Sequence, residues 1–375
     1  MLMMLFAFGS NGKGQLGIGN TKDQDTPQRC IFQFGNDESP GALIKICSGG
    51  NHTLALFDSG RLFSAGSNDV GQAGPKTVLL NQSDPVDQSI NFTEVFLEAK
   101  LQKIKTCSAT WEASTVVTED DEIYTFGNGP NGELGTGEDN SLQPQKLIGF
   151  PPRNSSIVDI ASSVRHVIVV LSDGQVYGWG NGRKGQLGQS KQGIIRTPQL
   201  IEGLGFHAKQ ATCGREFSYI VGDPSSPDHK YLGTDKWNLQ SGIPPKASSP
   251  SLCRKSLGSS WCGISILDTS GEILSWGRND HGQTAPKNLP NIMHVAVGSE
   301  HTLALTESGQ VLAWGWGEHG NCGPVLHQND NLGKSWHESW NEIPLQPMSR
   351  DEKVQGIGAG CATSFIWTAS DYNGD

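Results

Sequence analysis

Short apolar runs, each closed by turn residues, recur along the whole chain. Two clear copies are residues 52–57, with the sequence HTLALF, and residues 301–305, with the sequence HTLAL. Each run leads into an Asp/Ser-Gly turn, at 58–60 and 308–309, and a second short run follows. Runs of this length that end in Gly are typical of buried β-strands joined by tight hairpins. The pattern predicts an all-β protein.

A Gly-closed phrase follows the second run and returns seven times. We number the copies 1 to 7 in chain order. Their first glycines are Gly9, Gly66, Gly127, Gly180, Gly233, Gly277 and Gly315. The six steps from the first to the last average 51 residues, which is the period of a propeller or a solenoid. Three histidines each lie 14 residues before the glycine of their own copy, so the copies share one register.

Each repeat reads as strand, turn, strand, Asp/Ser-Gly turn, strand, Gly-rich loop, strand. Four short antiparallel strands make one blade of a propeller. The sequence therefore predicts a seven-bladed β-propeller of four-stranded antiparallel blades, with residues 1–375 forming one domain. The chain starts inside a Gly phrase and ends after an inner strand phrase, so we expect 1–19 and 354–367 to complete one blade and close the ring.

Composition and charge narrow the classes of function. The chain has 48 glycines among 375 residues and a formal net charge of −10, and it has no run of Lys or Arg that could follow a phosphate backbone. Its apolar first residues lead directly into the first repeat, which favours a strand over a signal peptide, and no stretch has the roughly 20 apolar residues of a membrane helix. We expect a soluble protein without direct nucleic-acid or membrane binding.

The eight cysteines show no Cys-x-x-Cys pair, which predicts free thiols in a reducing compartment and no metal site. The histidines at 52, 166 and 301 share one register, so we expect them to bond backbone groups rather than metal. The aromatic residues before the Gly phrase also hold one register and are expected to pack between blades. They are Phe8, Phe126, Trp179, Trp276 and Trp314.

The repeat supplies an internal standard, and candidate partner-binding residues are those that depart from it. At the turn before the second strand, Trp111 and Trp261 stand at a position where other copies carry residues such as Gly, Ser or Val. Tryptophan and arginine are enriched among interface hot spots. The alternative is that each tryptophan packs into the mouth of the central channel. The neighbouring turn residues in the candidate set are Glu112, Arg215, Glu216 and Glu300.

Two further departures lie in the Gly-rich loops of copies 6 and 7. Arg278 and Trp316 stand where other copies carry Ser, Asn or Thr. The turn and the Gly-rich loop of a propeller blade open on the same face, so these side chains should cluster with Trp261. Together with Glu318 and His319, they make the face of blades 6 and 7 the first candidate for a partner site; the alternative is that Trp316 staples two neighbouring blades.

No motif of a hydrolase, a phosphate-binding loop or a zinc protease is present, so the sequence predicts a non-enzymatic protein without a cofactor. Long inserts at about 75–100 and 325–353 interrupt the repeat. Loops of this length are usually functional or disordered, and composition does not separate the two cases.

The seven-copy repeat resembles the regulator-of-chromosome-condensation repeat family over nearly the whole chain. Within that family, five segments are similar to the fungal alpha-tubulin suppressor branch, also known for killer-toxin insensitivity. They are residues 7–12, 25–29, 298–301, 360–363 and, most clearly, 314–324. The family implies seven-bladed propellers. The branch implies a cytoplasmic and nuclear monomer that forms a heterodimer with a small Cys-rich zinc or iron protein of diphthamide synthesis, and that supports Elongator-dependent modification of wobble uridine in tRNA.

The family also implies a rival function, which is guanine-nucleotide exchange on a Ran-like small GTPase. The founding member attaches to chromatin through a basic tail, and the present sequence begins inside a strand without one. Chromatin anchoring is therefore not expected, whereas exchange activity stays open.

Overall fold

Seven β-sheets radiate around a central channel in the computed structural model. The structure describes residues 2–33, 40–75, 88–97, 103–188, 193–249, 251–324, 335–345 and 352–370. Within these residues every sheet is antiparallel apart from one short parallel pairing. The predicted seven-bladed all-β propeller is confirmed, and the only helices described are two short 3-10 turns, Lys236–Asn238 and Pro245–Ser248.

Blades 1 to 4 follow the predicted strand order. Blade 1 consists of β1 (Leu2–Gly9), β2 (Gln24–Arg29), β26 (Glu352–Ala359) and β27 (Thr363–Ser370). Blade 2 consists of β4 (Leu43–Ser48), β5 (His52–Phe57), β6 (Leu62–Ser67) and β7 (Gln88–Glu94), with β3 (Phe32–Gln33) added in parallel to β7. Blade 3 consists of β8 (Ile104–Ala109), β9 (Ala113–Thr118), β10 (Ile123–Asn128) and β11 (Asn140–Lys146). Blade 4 consists of β12 (Ile157–Ser163), β13 (His166–Leu171), β14 (Val176–Asn181) and β15 (Ile194–Leu200).

Two of the remaining blades have three strands within the described residues. Blade 5 consists of β16 (Gln210–Cys213), β17 (Phe217–Val221) and β18 (His229–Gly233). Blade 6 consists of β19 (Arg254–Ser259), β20 (Gly263–Asp268) and β21 (Ile273–Gly277). Blade 7 consists of β22 (Ile292–Val297), β23 (His301–Thr306), β24 (Val311–Trp316) and β25 (Ser335–Glu342).

The described parts of both inserts include blade strands. Strand β7 falls within the first insert and pairs with β6, and β25 falls within the second and pairs with β24. Other parts of the two inserts, residues 76–87, 98–100, 325–334 and 346–351, lie outside the described residues.

The two ends of the chain close the ring in blade 1. Strand β1 pairs with β27 along its whole length, from Leu2 opposite Ser370 to Gly9 opposite Thr363. The first strands of successive blades contact one another all the way round the channel, and β26 of blade 1 contacts both β22 and β4. This composite blade confirms the expected closure, and β2 extends the amino-terminal contribution to Arg29.

The core lies between blades, where the in-register aromatic residues pack as predicted. Phe8, Phe126 and Trp179 have no exposed surface, Trp314 is 1% exposed and Trp276 is 6% exposed. The indole Nε1 of Trp179 donates to the Glu133 carbonyl at 2.8 Å, across the boundary between blades 4 and 3.

The repeated first glycine of the Gly phrase has a steric cause. Gly66, Gly127 and Gly180 have φ values of 103°, 110° and 106°. A β-carbon at each would lie 2.3 or 2.4 Å from a backbone carbonyl oxygen of the turn before the second strand. Only glycine combines the left-handed backbone with this close approach.

Three buried hydrogen-bond chains join neighbouring blades through the in-register histidines. In each chain the histidine Nε2 lies 2.9 Å from a serine hydroxyl of the next blade. That hydroxyl donates at 2.7 or 2.8 Å to a carbonyl in the Gly-rich loop of the histidine's own blade. The chains are His52–Ser114–Gln72, His166–Ser218–Gln186 and His301–Ser364–Asn321.

These chains refine the expectation that the histidines bond backbone groups, because each ring is linked to a backbone carbonyl through a serine hydroxyl. The sequence showed the histidine register, but the partner is a serine about one repeat away. Because each hydroxyl gives its only proton to a carbonyl, the histidine Nε2 must carry the proton that the hydroxyl accepts. The carbonyl acceptor is backbone, and the serine stands between it and the ring.

Ser218→Ala tests the chain between blades 4 and 5. The change leaves the His166 ring N–H and the Gln186 carbonyl without this partner at a site with no exposed surface. An unsatisfied buried polar group costs ~1–3 kcal/mol, so we expect the free energy of unfolding to fall by about 2–4 kcal/mol in a urea titration. The exposed Ser251→Ala is the matched control and should change stability by less than ~0.5 kcal/mol. Equal stabilities for the two variants would contradict the role of the chain.

The same histidines predict acid sensitivity. Burial lowers the pKa of His52, His166 and His301 to about 4. An unfolded histidine titrates near ~6.5, so between these values the unfolded chain binds more protons than the folded chain. The contribution of these histidines to the free energy of unfolding is therefore complete above pH 6.5. It falls as the pH drops towards 4, by up to ~3 kcal/mol for each histidine. The test is a series of urea titrations of His166→Gln at several pH values. At pH 7 this variant should have a lower free energy of unfolding than the wild type. Between pH 6.5 and 4, its free energy of unfolding should fall by about one third less than that of the wild type.

Candidate functional site: the loop face of blades 5 to 7

A cavity of about 420 Å³ opens on the face where the turns and the Gly-rich loops meet. We call it the loop-face pocket. Residues from both kinds of segment line it, so the expected clustering of the departures is present. The predicted residues in its wall are Arg215, Glu216, Trp261, Arg278, Glu300 and Trp316.

Arg278 is the centre of the polar network in this pocket. Its guanidinium makes a bidentate contact with Asp280, at 2.6 and 2.8 Å, and donates to Glu300 Oε1 at 3.1 Å. Glu300 is 6% exposed, and its second oxygen accepts from Gln283 Nε2 at 2.9 Å. The hydrogen bonds and negative charges of Asp280 and Glu300 raise the pKa of Arg278. The guanidinium is therefore a fixed cation tying the Gly-rich loop of blade 6 to the turn of blade 7.

Aromatic rings flank the same guanidinium. The Arg278 Cζ atom lies 5.3 Å from the Trp237 ring centroid and 6.0 Å from that of Trp316. Trp316 also stacks on His281 of blade 6, with the ring centroids 4.6 Å apart and the planes at 10°. Trp316 thus staples blades 6 and 7, as the alternative interpretation of this residue expected, while one side of it still lines the pocket.

Trp111 and Trp261 meet across the mouth of the central channel. Their ring centroids are 5.9 Å apart, although the residues belong to blades 3 and 6. Both tryptophans line a cavity of about 180 Å³ in the channel. This is the channel-mouth packing that the alternative interpretation described. Trp111 keeps 38% of its surface exposed, and Trp261 forms part of the loop-face pocket as well.

The turn backbones around the mouth are also joined between blades. The Arg215 N–H donates to the Trp261 carbonyl, and the Trp261 N–H donates to the Ser299 carbonyl, both at 2.9 Å. On the opposite side, the Gly50 N–H donates to the Trp111 carbonyl at 2.9 Å. Both tryptophan side chains therefore project from backbone held by neighbouring blades.

The remaining predicted residues lie outside the wall of the pocket. Glu112 accepts a hydrogen bond from Asn128 at 2.8 Å, within blade 3. His319 Nδ1 and Asp23 Oδ2 form an exposed hydrogen bond at 2.9 Å that links the loops of blades 7 and 1. Glu318 is exposed beside His319. The structure does not bring these three residues into the cluster around Arg278.

Sequence reasoning missed Trp237 and Lys236. They follow the least regular Gly phrase, at 232–234, and lie on a 3-10 turn without a counterpart in the described parts of the other repeats. Trp237 is 41% exposed and has a φ of 61°, which is rare for a bulky residue. The irregular repeat could have pointed to Trp237, because this tryptophan follows it at a position where the other copies predict no buried aromatic residue.

One cysteine lies in the wall of the loop-face pocket. Cys262 is its one thiol, and burial raises the pKa of that thiol. Within the described residues, no cluster of three His, Cys, Asp or Glu side chains could hold a metal ion. Nor does that part of the chain contain a helix long and apolar enough to cross a bilayer.

Comparison with known proteins identifies close relatives of this fold. The chain is 34% identical to the RCC1 repeat-containing protein C10F6.04 of Schizosaccharomyces pombe, and the match covers 81% of this chain and 85% of that protein. It is 28% identical to human protein RCC2, covering 80% of this chain and 63% of RCC2, so it spans less than two thirds of that relative.

Solved structures show the same architecture. Prp20p of Saccharomyces cerevisiae superposes with a TM-score of 0.78 at 20% identity, covering 99% of this chain and 92% of Prp20p. Human WBSCR16 superposes with a TM-score of 0.77 at 16% identity, covering 99% of this chain and 100% of that one. Residues 4–366 match the protein family described as "RCC1-like domain". The chain therefore belongs to the RCC1-like domain family.

Proposed function

We propose that this RCC1-like propeller is a non-catalytic adaptor that holds a protein partner in the loop-face pocket. The observation that carries the proposal is the wall formed by Trp237, Trp261 and Trp316 around a fixed arginine. Partly exposed tryptophans in a concave site are the usual anchors of protein interfaces. In the pocket, these tryptophans lie beside two carboxylates, two guanidinium groups and one lysine amine that can fix the orientation of a partner.

The partner that we propose is a small Cys-rich zinc or iron protein of diphthamide synthesis. This choice is supported by the resemblance of residues 314–324 to the alpha-tubulin suppressor branch, and Trp316 belongs to that segment. In this proposal the two proteins form a heterodimer in the cytoplasm and nucleus. The heterodimer supports diphthamide formation on elongation factor two and, through the small protein, Elongator-dependent modification of tRNA.

Guanine-nucleotide exchange on a Ran-like GTPase is the second candidate function. Prp20p, which shares the fold, has binding properties to Gsp1p and histones. The bovine secretion-regulating guanine nucleotide exchange factor is 26% identical over 74% of this chain, and the chain spans 60% of it. These likenesses favour exchange, whereas the wall of tryptophans is equally suited to either partner.

Trp237→Ala is the sharpest test of the pocket. Trp237 is exposed, and Arg278 is the one residue described in contact with its ring. Removing the ring should therefore leave the fold intact. We expect the dissociation constant for the small Cys-rich protein, measured by calorimetry, to rise at least ~30-fold, as for a hot-spot residue worth about 2 kcal/mol. Leu142→Ala, at a site 64% exposed on blade 3, is the matched control and should bind as the wild type does.

The supporting variants are Trp261→Ala and Trp316→Ala, with a thermal melt of each. Retention of the partner at wild-type affinity by folded Trp237→Ala, Trp261→Ala and Trp316→Ala would refute the site. Nucleotide release from a Ran-like GTPase, measured with the pure protein, separates the two functions. An adaptor leaves the release rate unchanged, whereas marked acceleration that Trp237→Ala abolishes would replace the adaptor proposal by exchange at the same pocket.

A further inference from the structure

Two cysteine thiols meet between blades 2 and 3 beside the central channel. Cys47 lies on β4 and Cys107 on β8, 60 residues apart in sequence, and their sulfur atoms are 3.6 Å apart. The Cys107 S–H is directed at the Cys47 sulfur, and Cys47 can in turn donate to the Cys107 carbonyl at 3.1 Å. A disulfide bond is about 2.05 Å long, so a modest movement of the two side chains would bring the atoms within bonding distance.

The surroundings activate one of the two thiols. The hydrogen bond from Cys107 and the positive charge of Lys45 lower the pKa of Cys47 to about 7, against the opposing effect of burial. The Lys45 ammonium is fixed by a hydrogen bond of 2.9 Å to Thr106 Oγ1. Because Cys107 donates to Cys47 and is fully buried, its own pKa is raised. Cys47 is therefore the nucleophile of the pair, and Cys107 is positioned as the resolving thiol.

Access to the pair is selective for small molecules. Cys47 is partly exposed and lines the channel cavity of about 180 Å³, whereas Cys107 has no exposed surface. Trp111 and Trp261 also line that cavity, with their ring centroids 5.9 Å apart. A peroxide molecule fits this space, while a tripeptide disulfide such as oxidised glutathione is too large to enter it.

We propose that Cys47 and Cys107 are a peroxide-oxidisable thiol pair that forms a disulfide between blades 2 and 3. The Cys47 thiolate attacks one oxygen of hydrogen peroxide and the O–O bond breaks; the departing hydroxide takes up a proton to become water, leaving Cys47 as a sulfenic acid. The Cys107 sulfur then attacks the Cys47 sulfur and the S–O bond breaks. The hydroxide leaves as water with the Cys107 proton. Overall, two thiols and one peroxide give one disulfide and two waters.

The other cysteines of the chain provide internal comparisons. Cys30, Cys213 and Cys322 are buried, and burial raises the pKa of each, so they should resist oxidation. Cys253 is exposed and should react with peroxide without forming a bond within the chain. Among the described cysteines, only Cys47 and Cys107 have a sulfur-to-sulfur hydrogen bond.

The experiment uses the full chain with Cys253→Ser, which removes the exposed thiol that could cross-link two molecules. After treatment with hydrogen peroxide and alkylation of the remaining thiols, peptide mass spectrometry without reduction should show a Cys47–Cys107 linkage and the loss of two thiols. With Cys107→Ser added, a dimedone label should appear on Cys47. Oxidised glutathione should produce the linkage at least roughly tenfold more slowly than an equal concentration of peroxide, because it does not enter the channel.

Lys45→Gln tests the activation while keeping a donor for Thr106. We expect the linkage to form at least roughly threefold more slowly at pH 7, because the thiolate fraction of Cys47 falls. A thiol pair that stays reduced while Cys30 or Cys322 oxidises would overturn the proposal. So would a linkage of Cys47 to any other cysteine, or a rate that Lys45→Gln leaves unchanged.

Discussion

The pairing of β1 with β27 is the constraint on which the rest of the structure depends. Each blade is a small sheet that must cover both of its faces with its neighbours, so a propeller is stable only as a closed ring. Here the closure is made by two strands from opposite ends of the chain, paired over eight positions in blade 1. The contact of β26 with both β22 and β4 follows from that pairing, and with it the covered faces of blades 7 and 2.

The contacts that hold the blades together also leave room for large side chains at the channel mouth. Between blades, the histidine–serine chains and the in-register aromatic residues fix the packing, and the Gly phrases fix the approach of the loops. The turns at the channel mouth are bonded to one another through backbone groups, which place no demand on side-chain identity. Large side chains such as Trp261 can therefore be accepted on this face without disturbing the ring.

The repeat made most of the fold predictable, because its register specifies strands, turns and buried aromatic positions together. It also pointed to Arg278, Trp261 and Trp316, which the structure brings into one pocket. It could not reveal the contact of Trp111 with Trp261, since blades 3 and 6 become neighbours only across the channel mouth. Trp237 was missed in the sequence because this residue follows an irregular repeat. No residue at an equivalent position in the other copies was available for comparison.

Trp261, at the channel mouth, separates the channel cavity from the loop-face pocket. It lines both, so its removal changes the wall of the channel cavity as well as the wall of the pocket. Trp316 has a similar double role, because it stacks on His281 between blades 6 and 7. Trp237 contributes an exposed ring to the pocket alone. A loss of binding on its removal can therefore be attributed to the pocket, which makes the irregular segment of blade 5 the most informative part of this face.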